Sequence, residues 1–270
     1  MHACGHDGHI AALLGFLRRI KNHSLRYNLL AIFQNSEECG SGAKEMSQYI
    51  LSKYKVDAIF AFHIMPLIQK HHIVSSPDYM MYASEEINIK IKGKLSHVGM
   101  RSLGIDSIKI ASQLIFQYAS LDNDNYFIHI GEINGGKARN IVCDEVCIKG
   151  TLRAKSEEYL KELKNRISFI HRMMNKQYHV FIHTDYLAYY PPVKNNKNLY
   201  KKLNDILPLY TIKQPYMISE DFSYYQKHIP SVFMFIGTGL SSMLHTSYFN
   251  FDESILITII DSYEKIVHNL

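Results

Sequence analysis

Asp57-Ala58-Ile59-Phe60-Ala61-Phe62-His63-Ile64 is the stretch that decides the fold, a buried-strand pattern stopped by Pro66. A short apolar run without polar alternation suits a parallel strand covered on both faces. Tyr27 to Phe33 (YNLLAIF) reads the same way. Between and before these runs, Gly8 to Ile20 carries apolar residues at helical spacing. Ala43 to Tyr54 reads as an amphipathic helix, after a polar loop over Gln34 to Gly42. The order helix, strand, helix, strand predicts a parallel sheet.

Outward from that core the pattern changes. Glu86 to Lys92 (EINIKIK) alternates strictly, as a half-exposed strand does. Asp106 to Tyr118 reads as a helix, Tyr126 to Ile133 and Glu145 to Leu152 as strands, Glu157 to Lys176 as a long helix and His179 to Asp185 as a last strand. This β-α-β-β-α-β order predicts an antiparallel sheet with helices on one face. After Pro191-Pro192 the α/β character resumes. Leu199 to Leu207 and Phe222 to Lys227 read as helices, Ser231 to Ile236 as a buried strand, and Glu253 to His268 as a terminal amphipathic helix capped by Asp252. The expected architecture is α/β: a mostly parallel-sheet domain over 1–83 and 189–270, interrupted by an inserted α+β domain over 84–188.

Composition narrows the function classes. The 270 residues are 47% hydrophobic and 20% charged, with a net charge of +5. That balance is ordinary for a globular chain. The mild charge is scattered, which gives no argument for a nucleic-acid or membrane surface. No apolar run approaches the roughly 18 residues a membrane span needs. The first residues show neither the basic nor the apolar region of a secretory signal. Cys143 and Cys147 fall in one expected strand, about 13 Å apart and too far for a disulfide. A reducing, cytoplasmic setting is therefore expected.

The informative excess is histidine, 15 residues in all. His2, Cys4, His6, Asp7 and His9 place five potential ligands within eight residues. A lone His is more often a hydrogen-bonded bystander, but a Cys-x-His pair on a glycine-containing loop points to metal. The spacing is not that of a structural zinc finger. Glu37-Glu38 follows the run 27–33, His63 ends the run 57–64, and His245 follows 231–236 across Gly237-Thr238-Gly239. Taken singly these read as a solvated loop, a core His and a surface His. Taken together they all lie at or beyond the carboxyl ends of expected strands, where open parallel sheets bind ligands. Cys4 and His6 precede a helix, which is the same edge. Cys, three His and one Glu are enough ligands for two divalent ions, leaving a second Glu to act on water.

His2-Ala3-Cys4-Gly5-His6-Asp7-Gly8-His9, Glu37-Glu38, His63-Ile64-Met65-Pro66, Ser219-Glu220-Asp221-Phe222 and Leu244-His245 match a known family in order and spacing. The chain resembles the amidohydrolase branch of the dinuclear-metal exopeptidases, which includes hippurate hydrolases, N-acyl-amino-acid amidohydrolases, auxin-conjugate hydrolases and N-acetyldiaminopimelate deacetylases. The resemblance implies that Cys4, His6, Glu38, His63 and His245 are metal ligands, with the thiolate shared between two divalent ions. It implies that Glu37 is the general base. It makes the inserted domain a lid through which a homodimer forms, with His97 in Gly93-Lys94-Leu95-Ser96-His97 polarising the scissile carbonyl. Asn140 and Arg153 match positions that hold the substrate or its carboxylate.

The implied activity is hydrolysis of N-acyl amino acids or related small amides, with no nucleic-acid or membrane partner. Thiolate and imidazole ligands suit zinc, with manganese, cobalt and nickel also open. Two departures stand beside the match. The family carries a further segment ahead of the His-Ala-Cys-Gly-His motif, with strands and an Asp-x-Asp acid near the metals, and here the motif opens the chain. After His97 the family often has Pro-His where this chain has Arg101-Ser102. A remnant that keeps the fold without turnover, and a non-catalytic binding protein, are the alternatives. The aromatic Gly-Phe-rich strand motif of an RNA binder is not present.

Overall fold

A computed structural model describes residues 2–40, 42–239 and 244–270, with the backbone only at Cys39 and Gly40. In chain order the first elements are α1 (His6–Ile20), α2 (Glu37–Gly40), α3 (Gly42–Lys53), β1 (Ile59–Met65), β2 (Ile73–Ser75) and β3 (Tyr79–Met81). They are followed by β4 (Ala83–Lys92), β5 (Ser96–His97), α4 (Ser107–Ala119), β6 (Tyr126–Gly135), β7 (Ile141–Val142), β8 (Glu145–Ala154), α5 (Glu157–Tyr178) and β9 (Phe181–Tyr190). The last are β10 (Val193–Lys194), α6 (Lys197–Ile206), β11 (Leu209–Thr211), α7 (Ser223–Gln226), β12 (Ser231–Gly237) and α8 (Ser254–Asn269). The chain forms two units. One comprises 1–80, 193–215 and 220–270; the other comprises 81–192 with 216–219, slightly more than the inserted stretch expected over 84–188.

In the first unit the sheet order is β1-β12-β2-β11. β1 and β12 run parallel, with His63 level with Phe235, so their carboxyl ends share one edge. β2 is antiparallel to β12 and parallel to β11, which makes the sheet mixed. Helix α1 forms because Ala12, Phe16 and Ile20 recur at four-residue spacing and turn one face inward. That face joins Phe62, Ile64, Met234, Ile236, Phe249 and Ile259 in one core. Each fully buried side chain of this size contributes roughly 1.5–3 kcal/mol. A Cβ at Gly8 would lie 2.7 Å from Phe251, so the first turn of α1 packs closely only with glycine there.

One expected strand does not form. Residues 27–33 are in no strand, and Tyr27, Leu29, Leu30 and Phe33 are exposed. A strand exists by its hydrogen bonds to a neighbour; an apolar run supplies burial propensity and no partner. The parallel neighbour of β1 is instead β12, which lies far along the chain.

The second unit has the sheet order β6-β8-β4-β9, antiparallel throughout. Ile87, Ile89 and Ile91 alternate inward from β4, against Leu114 of α4 and Leu163 and Ile167 of α5. Asp106 caps α4 and Ser156 caps α5 by accepting backbone N–H bonds. Cys143 falls just before β8 rather than within it, and Cys4, Cys143 and Cys147 are free thiols. Among the described residues no helix is long and apolar enough to cross a membrane.

Candidate metal centre

The loop before α1 and the first residue of that helix carry the first two candidate ligands, Cys4 and His6. Gly5 takes a left-handed conformation (φ 85°) and Ala3 a strained positive φ of 48°. This hands Cys4 to the buried side and starts the helix at His6. The His245 backbone, also at positive φ (62°), donates its N–H to the Ala3 carbonyl at 3.1 Å. That bond brings residue 245 to the Cys-x-His loop. Ser36, a third non-glycine residue at positive φ (57°), turns the chain into α2, whose first residues are Glu37 and Glu38. Left-handed conformations of non-glycine residues are costly and gather where the surrounding structure holds them.

These turns assemble two triads of potential metal ligands. Donor atoms of Cys4, His6 and His63 lie within 4.8 Å of one another, and so do those of Cys4, Glu38 and His245. Cys4 belongs to both. Its sulfur is 3.4 Å from His245 Nε2 and 3.8 Å from His63 Nε2. His6 Nε2 lies 3.9 Å from both Glu37 and Glu38, and His245 Nε2 lies 3.7 Å from Glu38.

His63 is oriented for this role. Its Nδ1 meets the Ile64 carbonyl oxygen at 2.7 Å. A carbonyl only accepts, so Nδ1 carries the proton and Nε2 presents its lone pair toward Cys4. His9 is excluded as a ligand by the converse contact: its Nε2 accepts the Ile64 N–H at 3.0 Å. His2 pairs with Asp7 at 2.6 Å and packs on the Phe251 ring. Of the five ligands possible in the opening motif, the fold thus gathers Cys4 and His6.

The carboxylates extend further than the resemblance assigned. Donor atoms of Glu37, Glu220 and Asp221 also lie within 4.8 Å of one another. Burial, and then the charges of Asp221 and Glu38, push the Glu37 carboxyl up to about 7. Burial, reinforced by Glu37, holds Glu220 well above the carboxylate range. Burial and the Glu38 charge push the Cys4 thiol far up, while burial lowers His63 to about 4. Four acids and a thiol crowded around the neutral His63 imidazole form an environment that a cation relieves. Thiolate, imidazole and carboxylate together are a donor set for zinc and its transition-metal neighbours. The residues present fit a pair of such ions.

Asp221 supports this arrangement from behind. Its Oδ2 accepts from Gln34 Nε2 at 2.7 Å and from the Ala43 N–H at 2.9 Å, and the Tyr225 hydroxyl donates to Gln34 Oε1 at 2.9 Å. The contacts fix the segment on both sides of Glu37 and Glu38. The Ser219–Phe222 motif was visible in the sequence, but no spacing rule links Asp221 to Gln34, 187 residues away.

The remaining expected site residues lie in the second unit. His97 of β5 pairs with Ile141 of β7, and the Asn140 carbonyl accepts from Val98 N–H at 2.9 Å, so His97 and Asn140 are neighbours. Both are exposed. His97 Nδ1 accepts from Gly99 N–H at 3.1 Å. Arg153 of β8 is half-buried, and its Nη1 donates to the Ser84 and Thr151 hydroxyls.

This fold, with its Cys, His and Glu cluster at the shared strand edge, is that of a hydrolase family. The model of peptidase family M20/M25/M40 matches residues 1–269, and the chain belongs to that family. It is 31% identical over 291 residues to an uncharacterized hydrolase of Staphylococcus epidermidis, covering 100% of this chain and 76% of that protein. A solved structure from methicillin-resistant Staphylococcus aureus superposes with a TM-score of 0.91 at 23% identity, covering 99% of this chain and 73% of that one. The Bacillus subtilis YXEP protein, a dinuclear metal-binding peptidase from the M20 family, gives a TM-score of 0.84 at 23% identity over 100% of this chain and 74% of its own. At those identities the structural likeness establishes the fold alone.

Proposed function

We propose that the protein is a metal-dependent amidohydrolase that cleaves N-acyl amino acids or related small amides. One observation carries the reading: two ligand triads share Cys4, and Glu37 stands beside them. Cys4, His6 and His63 hold one divalent ion; Cys4, Glu38 and His245 hold the other. Zinc is favoured by the thiolate, with manganese, cobalt and nickel the competitors. Bound divalent ions of this kind lower the pKa of water and polarise a carbonyl.

The rest of the work falls to the chain. Glu37, standing beside both triads, takes a proton from water. Oxygen adds to the amide carbon, the C–N bond breaks, and the proton held by Glu37 passes to the leaving amine. His97, Asn140 and Arg153 are assigned to the carbonyl and carboxylate of the substrate by the family resemblance. Arg153 suits a carboxylate because a guanidinium donates two parallel bonds. Dimerisation through the second unit and a cytoplasmic location belong to the same proposal, and light scattering and cell fractionation test them.

The test is metal analysis together with a panel of acyl amino acids, on the wild type and on Glu37→Gln. The expected result is the same metal content in both proteins, the two ions of the Cys4 cluster included, and turnover only in the wild type. Equal turnover in Glu37→Gln removes Glu37 as the base. A wild type that fills the Cys4 cluster and turns over no amide establishes the alternative, a fold retained without hydrolysis.

A further inference from the structure

We infer a third metal site, remote from the Cys4 cluster, formed by His23, Glu264 and His268. His23 follows α1, where its N–H donates to the Ile20 carbonyl at 2.8 Å and fixes the turn. Glu264 and His268 are four residues apart on α8, which puts them on one face of that helix. Donor atoms of the three side chains lie within 4.8 Å of one another. His23 Nδ1 and His268 Nε2 are 3.3 Å apart. Two nitrogens bound at about 2.0–2.1 Å to one tetrahedral ion are about 3.3 Å apart. The pair is therefore already at the spacing a tetrahedral metal requires.

The surroundings decide the ligand class. Arg19 reaches Glu264 at 3.0 Å and also holds Asp261. Asp261 keeps that ion pair when Glu264 turns an oxygen to a metal. Asp261 also offsets the positive charge of Arg19 beside an arriving cation. Two imidazoles and one carboxylate select a borderline transition ion, zinc foremost, over magnesium or calcium, which take oxygen ligands. The site is on the surface and open to exchange. It stands at the carboxyl end of α1, about 20 Å along that helix from His6 at a rise of 1.5 Å per residue. A bound ion clips the last turn of α8 to the turn that follows α1, joining positions 245 residues apart.

This inference is independent of hydrolysis. The test stores the full chain in EDTA, dialyses it against zinc chloride, and measures zinc per chain and melting temperature. His23→Gln and His268→Gln are each expected to bind one zinc fewer than the wild type. They should also lose part of the zinc-dependent rise in melting temperature, while their far-ultraviolet circular dichroism and their melting in EDTA stay those of the wild type. Cys4→Ser should lose zinc from the other cluster and keep this ion. As a readout free of substitutions, the side-chain nitrogen resonances of His23 and His268 should shift together on zinc addition. Equal zinc content in the wild type and both His variants, with those resonances unmoved, overturns the site and leaves a plain His–His hydrogen bond.

Discussion

Gln34 donates its side-chain N–H to Asp221 at 2.7 Å and thereby ties the segment carrying Glu37 and Glu38 to the Ser219–Phe222 motif. Asp221 is not among the ligand triads that share Cys4, yet it sets where the two glutamates stand. Asp221→Ala removes the acceptor for both Gln34 and the Ala43 N–H. Groups that orient metal ligands typically matter 10–100-fold in affinity or activity. We expect zinc affinity to fall in that range, with Asp221→Asn closer to wild type because one acceptor oxygen remains. Competition with a zinc chelator measures both. Wild-type affinity in Asp221→Ala refutes the positioning role.

His9 and His63 bracket Ile64 and separate structure from metal binding. His9→Ala strands the buried Ile64 N–H that His9 now accepts. An unsatisfied buried donor costs about 1–3 kcal/mol. The expected outcome is lower denaturant stability with metal content near that of the wild type. His63→Ala should do the opposite, losing metal and retaining more of the metal-free stability. Urea titrations in EDTA, paired with metal analysis, distinguish the two.

Gly42 closes the turn after the glutamates, where a Cβ would fall 1.9 Å from the Asn35 carbonyl oxygen. That neighbour is backbone and cannot rotate away. Gly42→Ala should therefore cost about 1–3 kcal/mol through overpacking and weaken metal binding by shifting Glu38. Unchanged melting and unchanged zinc affinity would show that the turn opens freely.

The metal-free protein has a pH signature with a definite sign. Glu37 titrates near 7 in the folded state against the ordinary carboxylate range when unfolded. Between those values the folded state binds more protons, so this group's contribution to stability is lost as pH rises through 7. His63, lowered to about 4, acts in the opposite sense: its contribution is lost as pH falls from the ordinary histidine range. The two partly cancel in the wild type. Glu37→Gln removes only the first. In EDTA its stability advantage over the wild type should therefore grow from pH 5 to pH 7, by on the order of 1–3 kcal/mol. A flat difference across that range contradicts a buried, protonated Glu37.

Much of this was legible in the residues themselves. Helical spacing marked α1 and α5, strict alternation marked β4, and continuous apolar runs marked β1 and β12, because these patterns record local geometry. The Cys-x-His motif, His63 and His245 were singled out by their places near strand ends, which parallel strands bring to one edge whatever their separation in the chain. Glu37-Glu38 were singled out after a strand over 27–33 that does not form, and reach the same place through the Ser36 turn and the Gln34–Asp221 bond. What only the tertiary structure decided are relationships between partners. Residues 27–33 have the composition of a strand and form none, because strand formation depends on a neighbour's hydrogen-bonding edge. His9 and His63 look alike in the sequence. The backbone N–H and carbonyl of Ile64 occupy Nε2 of one and Nδ1 of the other, leaving only His63 with a lone pair for the metal.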